Sequence, residues 1–273
     1  MLVVQWISIT GCSAVGSALR SGRRGRRFNS AHPDQNIGSF LFSLLATGAF
    51  LQYNSPIMNL SFKPQHIPLE EKPIQIILAS QSLGRKMLLE KLGLPFRTIV
   101  SNVDEDAIKD IDPVKTIKRR ALAKAEEIVK NPRVFNLPID SRSLIIAADS
   151  MAILGKKTFG KTESREEARN MVKELMGKTH TFVTAVKVIY LHGLTVKKTW
   201  DAVSRTKVTM KKMTNPELDQ YTNRYDFSRF AAAYTINEAP WDLVTKIDGS
   251  YTNVIGLPFE IILPIFRKLE IIK

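Results

Sequence analysis

The chain has 273 residues, of which 44% are hydrophobic and 24% charged, and its net charge is +14. This is enough to bury a real core in one large domain or two small ones, and it excludes disorder throughout. The single cysteine, Cys12, excludes an intramolecular disulfide, no Cys/His cluster has zinc spacing, and no run of about 18 apolar residues reads as a membrane span.

The basic balance favours phosphate-bearing partners, whether nucleotides, nucleic acid or anionic membranes, and does not by itself choose among them. It is unevenly distributed. Residues 1–62 hold five arginines, no lysine and one acid, Asp34, whereas residues 63–273 hold 23 lysines, 12 arginines and 25 acids. A boundary near residue 62 is expected, with residues 63–273 as the folded domain. The front segment has an arginine-rich stretch, Arg20 to Arg27, and then an apolar run from Ile37 to Leu51. It reads as an arginine-rich, acid-poor targeting peptide, as a weak membrane anchor, or as a stretch extraneous to the native protein, with initiation at Met58. No fold is expected in it.

From Lys63 onward the elements follow in order. Ile74 to Ala79 is a short, mostly apolar run, which predicts a buried strand. Arg85 to Leu92 is an amphipathic helix stopped by Gly93. Phe96 to Val100 is a second strand. Pro113 to Lys130 is a helix with Ile117, Ala121 and Ala125 in helical spacing. Leu144 to Leu154 is a strand, apolar apart from Asp149 and Ser150. Glu163 to Met176 is a helix closed by Gly177. Thr181 to Leu191 and Thr195 to Met210 form a hairpin across His192-Gly193. Pro216 to Arg224 is a short helix, and Leu257 to Leu269 a closing helix that Pro264 should kink. Strands alternating with helices, plus one hairpin, predict an α/β fold with a mixed, elongated sheet flanked by helices.

Four places have the residue types that phosphate chemistry needs. Ser80-Gln81-Ser82-Leu83-Gly84-Arg85 joins a strand to a helix N-terminus, where free N–H groups attract anions. A Ser-rich turn with a helix cap fits the same letters. Asp149 is a carboxylate among apolar strand residues and needs a partner there. It suits a general base or a metal ligand, or else caps a loop at a strand end. Asp104-Glu105-Asp106 can hold magnesium through one or two oxygens, or be a solvated acidic loop. Lys124 and Lys161 can neutralise a polyphosphate, although most lysines are simply solvated.

Taken in order, these pieces resemble the Maf family. The matching stretches are Leu78-Ala79-Ser80-Gln81-Ser82 with Arg85, Val103-Asp104-Glu105, Lys124-Ala125, Ala148-Asp149-Ser150, Gly160-Lys161, Gly177-Lys178-Thr179-His180, and Gly249-Ser250-Tyr251-Thr252-Asn253-Val254-Ile255-Gly256-Leu257-Pro258. The resemblance implies a sheet of Maf/ITPase-like form and a nucleoside triphosphate pyrophosphatase that releases a monophosphate and pyrophosphate. It implies a homodimer and a divalent metal, magnesium or manganese. It makes Asp149 the general base, Glu105 a metal ligand, and Ser80, Ser82, Arg85, Lys124 and Lys161 phosphate contacts.

Three positions linked to substrate choice depart from the commoner family residues. Gly84 stands in place of an arginine, Ser150 in place of a threonine, and Asn237 in place of a glutamine. Ser150, the Asn237 amide and the Gly249 to Pro258 segment lean toward the branch acting on dTTP and UTP, with a modified nucleotide also possible. The altered residues equally permit a non-catalytic nucleotide sensor that regulates division or septum formation. A stable nucleic-acid complex is not expected, because aromatic residues do not interleave with the basic ones. No membrane partner is expected, and a cytoplasmic location fits the single cysteine.

Overall fold

The computed structural model describes residues 72–162, 164–224, 230–237 and 242–273. The front segment, residues 1–62, lies outside the described residues, as does Glu163. Seven strands make one mixed sheet in the order β2-β1-β3-β5-β6-β7, with β4 paired to β3. They are β1 (Ile74–Ala79), β2 (Phe96–Thr98), β3 (Arg142–Leu154), β4 (Lys157–Phe159), β5 (Thr179–His192), β6 (Thr195–Met210) and β7 (Val244–Asp248). β1 is parallel to both β2 and β3, and the remaining pairs are antiparallel. The helices are α1 (Leu83–Lys91), α2 (Pro113–Lys130), α3 (Arg165–Leu175), α4 (Asn215–Arg224), α5 (Tyr251–Ile255) and α6 (Phe259–Lys268). No helix of the described residues is long and apolar enough to cross a membrane.

Local chemistry sets the helix ends. Asp112 caps α2 by accepting from the Val114 N–H at 2.8 Å, and Pro113 occupies the first helical position, where its missing N–H is harmless. Ser164 caps α3 through the Glu167 N–H at 3.1 Å, and Glu166 and Glu167 complement the positive end of the helix. α6 continues through Pro264 instead of ending there, so the Glu260 carbonyl lacks its usual intrahelical donor.

The hairpin strands are unusually long. The 16 residues of β6 extend about 50 Å. That length lets one sheet carry separate cores along it. Toward one end, Leu78, Leu144 and Ile146 meet Leu88, Leu89, Ile262 and Phe266 from α1 and α6. On the opposite face Ile77, Ile145 and Ala147 meet Ala125 and Ile128 of α2. Toward the other end Val172 and Leu175 of α3, Leu218 and Tyr221 of α4 and Tyr234 pack on Phe182 and Val208. Each fully buried aliphatic or aromatic side chain contributes about 1.5–3 kcal/mol.

Three elements go beyond the expected set. β4 has three residues and β7 five, with Lys246 and Asp248 in an exposed edge, so neither has a hydrophobic period to read. α5 has five residues, and its Ser250 cap lies inside the motif Gly249 to Pro258.

One polar pair lies within the α3–α4 core. His180 Nε2 lies 2.7 Å from the Tyr234 hydroxyl, and His180 is 2% exposed. Burial pushes the imidazole down to about 4. The unfolded chain takes up that proton near the ordinary value of about 6.5. Stability is therefore fully present above that pH and is lost as pH falls toward 4, by roughly 3 kcal/mol in all. His180→Gln keeps a hydrogen-bonding side chain but cannot titrate. Denaturant melts at pH 7 and pH 4.5 should show wild type losing about 2–3 kcal/mol more than the variant across that interval. Equal losses would show that His180 titrates normally.

Candidate active site

The site forms where the sheet leaves β3 half-paired. β1 accompanies β3 only as far as Ala79 opposite Ala147, and β4 reaches back along β3 only to Phe159 opposite Ala152. Residues 148–151 thus have no strand beside them on that side, and the chain leaving β1 turns away there into α1. An opening at the carboxyl end of a parallel strand is where open α/β sheets receive ligands.

Strand alternation then sends neighbouring side chains to opposite faces. Asp149 continues the row of Ile145 and Ala147 toward α2. Ser150 continues the row of Ile146 and Ala148 toward α1 and α5.

On the α2 face, Asp149 is 8% exposed and Lys124 5%. The Lys124 ammonium donates to Asp149 Oδ1 at 3.3 Å and reaches Glu105 Oε2 at 2.7 Å. Burial works to raise the Glu105 carboxyl, but Lys124, with Lys161 and Arg85 behind it, outweighs this and holds Glu105 below the ordinary range. Lys161 follows β4 and belongs to the same cluster. Its ammonium is pulled down by burial and by repulsion from Arg85 and Lys124, against the attraction of Glu105 and Asp149.

The rest of the acidic triplet divides. Asp104 caps its own loop, accepting from the N–H groups of Asp106 at 3.0 Å and Ala107 at 3.2 Å. Asp106 points to Arg120, with 3.8 Å between Oδ1 and Nη2. Arg120 was not singled out by the sequence, although it stands one helical turn from Lys124 on α2. The second oxygen of Asp149, Oδ2, is buried and accepts no hydrogen bond among the described residues.

On the α1 face, Arg85 is 6% exposed, and burial lowers its affinity for its proton. Its Nε donates to the Gly256 carbonyl at 2.8 Å, Nη1 to Ser80 Oγ at 2.8 Å and Nη2 to Ser150 Oγ at 2.9 Å. Three of its five N–H donors thus brace β1, β3 and the end of α5, leaving two. Ser80 Oγ also accepts from the Ser82 N–H at 3.2 Å, while the Ser82 side chain makes no cap bond to α1. Ser150 Oγ lies 2.9 Å from Thr184 Oγ1, which donates to the Asn253 carbonyl at 3.2 Å. Asn253, fully buried, donates to Phe182 and Thr206 and pins α5 to the hairpin. Gly256 has φ +109°, a conformation that frees its carbonyl for Arg85 and that side-chain-bearing residues rarely adopt.

Of the three positions expected to bear on substrate choice, Ser150 is in this network. Asn237 is held at α1 by its Nδ2, 3.5 Å from Met87 Sδ, and by Thr235, whose hydroxyl donates to its Oδ1. Gly84 is pressed against α5. A Cβ there would lie 2.9 Å from the Ile255 carbonyl oxygen and 3.0 Å from Ile255 Cγ2. An arginine in this place would need α1 and α5 to separate. Among the described residues, no three His, Cys, Asp or Glu side chains converge as a metal cage.

The Gly84 contact gives a direct prediction. Gly84→Ala should destabilise the fold by about 1–2 kcal/mol, because overpacking of about 1–3 kcal/mol exceeds the gain of up to about 1 kcal/mol in helix propensity. Denaturant unfolding measures it, and an unchanged or raised midpoint would show that α1 slides freely on α5.

The family model described as Maf-like protein matches residues 75–269. A dTTP/UTP pyrophosphatase from Treponema denticola is 33% identical over 205 residues, which cover 72% of this chain and 97% of that protein. One of the same name from Pyrococcus furiosus is 36% identical over 195 residues, covering 71% and 94%. Among solved structures, a HAM1 protein from Coxiella burnetii overlaps 51% of this chain and 74% of its own, at 14% identity and a TM-score of 0.31. The family match and the extent of these relatives show that the chain belongs to the Maf-like protein family.

Proposed function

We propose that the protein is a nucleoside triphosphate pyrophosphatase, with Asp149 as general base and dTTP or UTP as the favoured substrates. The observation that carries this reading is the Lys124 ammonium between two carboxylates, Glu105 and Asp149, at an opening of the sheet. The relatives named dTTP/UTP pyrophosphatase support the substrate class.

The reaction needs a water to attack the α-phosphorus in line, the bond from that phosphorus to the bridging oxygen to break, and pyrophosphate to leave. Asp149 Oδ2 is the oxygen left without a hydrogen bond, and it takes the proton from the water. Oδ1, held by Lys124, fixes the carboxylate's orientation. Lys124 and Lys161 meet the negative charge of the triphosphate and of the departing pyrophosphate. Ser80, Ser82 and the two remaining donors of Arg85, gathered at the turn into α1, are the further groups that would bind phosphate.

The donor set suits a hard divalent ion. Glu105 is kept charged and already faces a cation at 2.7 Å, and magnesium is commonly held by one or two carboxylates plus substrate phosphates. Glu105 would hold magnesium or manganese, which when bound offsets triphosphate charge. We further propose that residues 63–273 are sufficient for activity, since the family match begins at residue 75. Specificity then rests on Gly84, Ser150 and Asn237.

Asp149→Asn preserves volume and removes the base. It should lower pyrophosphate release from dTTP or UTP by about a hundredfold or more while leaving nucleotide binding within about threefold. Assays of both proteins with a panel of triphosphates and magnesium or manganese test this. Retained turnover would remove Asp149 from its role, and nucleotide binding by wild type without any release would favour the sensor that regulates division. A chain beginning at Met58 should match the full chain in turnover, and a loss of soluble enzyme would make the front segment structural.

A further inference from the structure

Arg120 lies outside every residue given a role above, yet its guanidinium faces Asp149 and the loop that carries Glu105. Nη1 is 3.8 Å from Asp149 Oδ2, Nη2 is 3.8 Å from Asp106 Oδ1, and Nε donates to the Ile108 carbonyl at 3.2 Å. Its side chain is 17% exposed, low for an arginine whose neighbours include two carboxylates. It precedes Lys124 by four residues, so the two cations share one helix face, an arrangement that repels unless acids answer it. Asp149, Glu105 and Asp106 answer it, two of them from the loop that follows β2.

We propose that Arg120 is a positioning residue for the hydrolytic reaction: it flanks the proton-accepting oxygen of Asp149 and latches the loop carrying Glu105 onto α2. The inference rests on the pyrophosphatase reading and assigns a residue which that reading does not need. At 3.8 Å, Arg120 and Oδ2 are too far apart for a direct hydrogen bond, but the guanidinium charge acts on the buried carboxylate oxygen across that distance. Arg120 thus fixes the orientation of the Asp149 carboxylate without itself accepting or giving a proton. Its other two contacts, to Asp106 and the Ile108 carbonyl, hold the loop one and three residues after Glu105. One side chain therefore sets the spacing between the base and the metal-holding carboxylate. Lys124 contacts the same two acids but reaches neither Oδ2 nor the loop backbone.

The test uses the full chain and the variants Arg120→Met, which keeps the aliphatic stem, and Arg120→Lys, which keeps the charge. The readouts are kcat and KM for the best triphosphate, the affinity for Mn2+ alone by electron paramagnetic resonance, and recovery of turnover on adding guanidinium ion. Arg120→Met should remain folded and lose about tenfold to a hundredfold in kcat, with KM within about threefold and Mn2+ bound at least several-fold more weakly. Guanidinium ion should restore part of its kcat, and Arg120→Lys should fall between the two. Wild-type kcat and Mn2+ affinity in Arg120→Met would overturn the proposal. So would a loss confined to KM, or equal losses in both variants without recovery by guanidinium. If wild type hydrolyses no triphosphate, the pyrophosphatase reading has failed, and equal Mn2+ affinity in wild type and Arg120→Met would then overturn the latch separately.

Discussion

A carboxylate in the middle of a buried strand is the constraint around which this molecule is arranged. An isolated buried charge is strongly unfavourable, and removing one member of a buried pair typically costs about 3–5 kcal/mol. Asp149 sits among Ala147, Ala148, Met151 and Ala152, which offer it nothing polar. Its partners have to come from elsewhere, and α2 brings them. Apolar positions at Ile117, Ala121, Ala125 and Ile128 dock that helix on the sheet, which fixes Arg120 and Lys124 over the carboxylate. The two cations in turn draw in Glu105 and Asp106. A cluster of this kind is poor at adding stability, since hydrophobic replacements of similar shape are often as stable. The proposed role of Asp149 as general base gives the cluster a use that stability alone does not.

The sheet supplies the opening. Had β1 and β4 been one strand, residues 148–151 would be covered and no substrate could approach Asp149. Instead β1 stops opposite Ala147, β4 ends opposite Ala152, and the gap is bridged by helices and loops. The long partners β5 and β6 keep the two ends of β3 in one rigid sheet despite this gap. Cores at both ends hold the sheet, so the opening does not act as a hinge point in the hydrophobic packing.

The opposite face of β3 solves a different problem. One residue after Asp149, Ser150 begins a chain of hydrogen bonds through Arg85, Thr184 and Asn253 that ties α1 and α5 to the strand. Two residues that departed from the commoner family pattern, Gly84 and Ser150, both lie on this face. Gly84 allows α1 to approach the Ile255 carbonyl, and the approach puts Arg85 within reach of Gly256. The loss of an arginine at position 84 is therefore tied to close helix packing, whatever it also does to substrate choice.

Much of this was legible in the residues. The apolar run of β1, the helical spacing of Ile117, Ala121 and Ala125 with the Pro113 start of α2, and the alternation of β6 set those elements within a few residues, because each is a local pattern. Asp149 stood out because a charge within an apolar strand breaks its own context. β4, β7 and α5 were not legible, because three to five residues carry no period, and they exist only by pairing with distant chain. Arg120 was hidden for the same reason: on a surface helix of a lysine-rich chain an arginine looks solvated. Only the docking angle of α2 decided that it faces Asp149. Arg85 shows the converse. Its place in a phosphate-like turn was visible, but its use as a brace needed Gly256, 171 residues away. Sequence by itself determined the local elements and the residue types of the site; the tertiary structure decided which charges meet, because that depends on distances that no local pattern encodes.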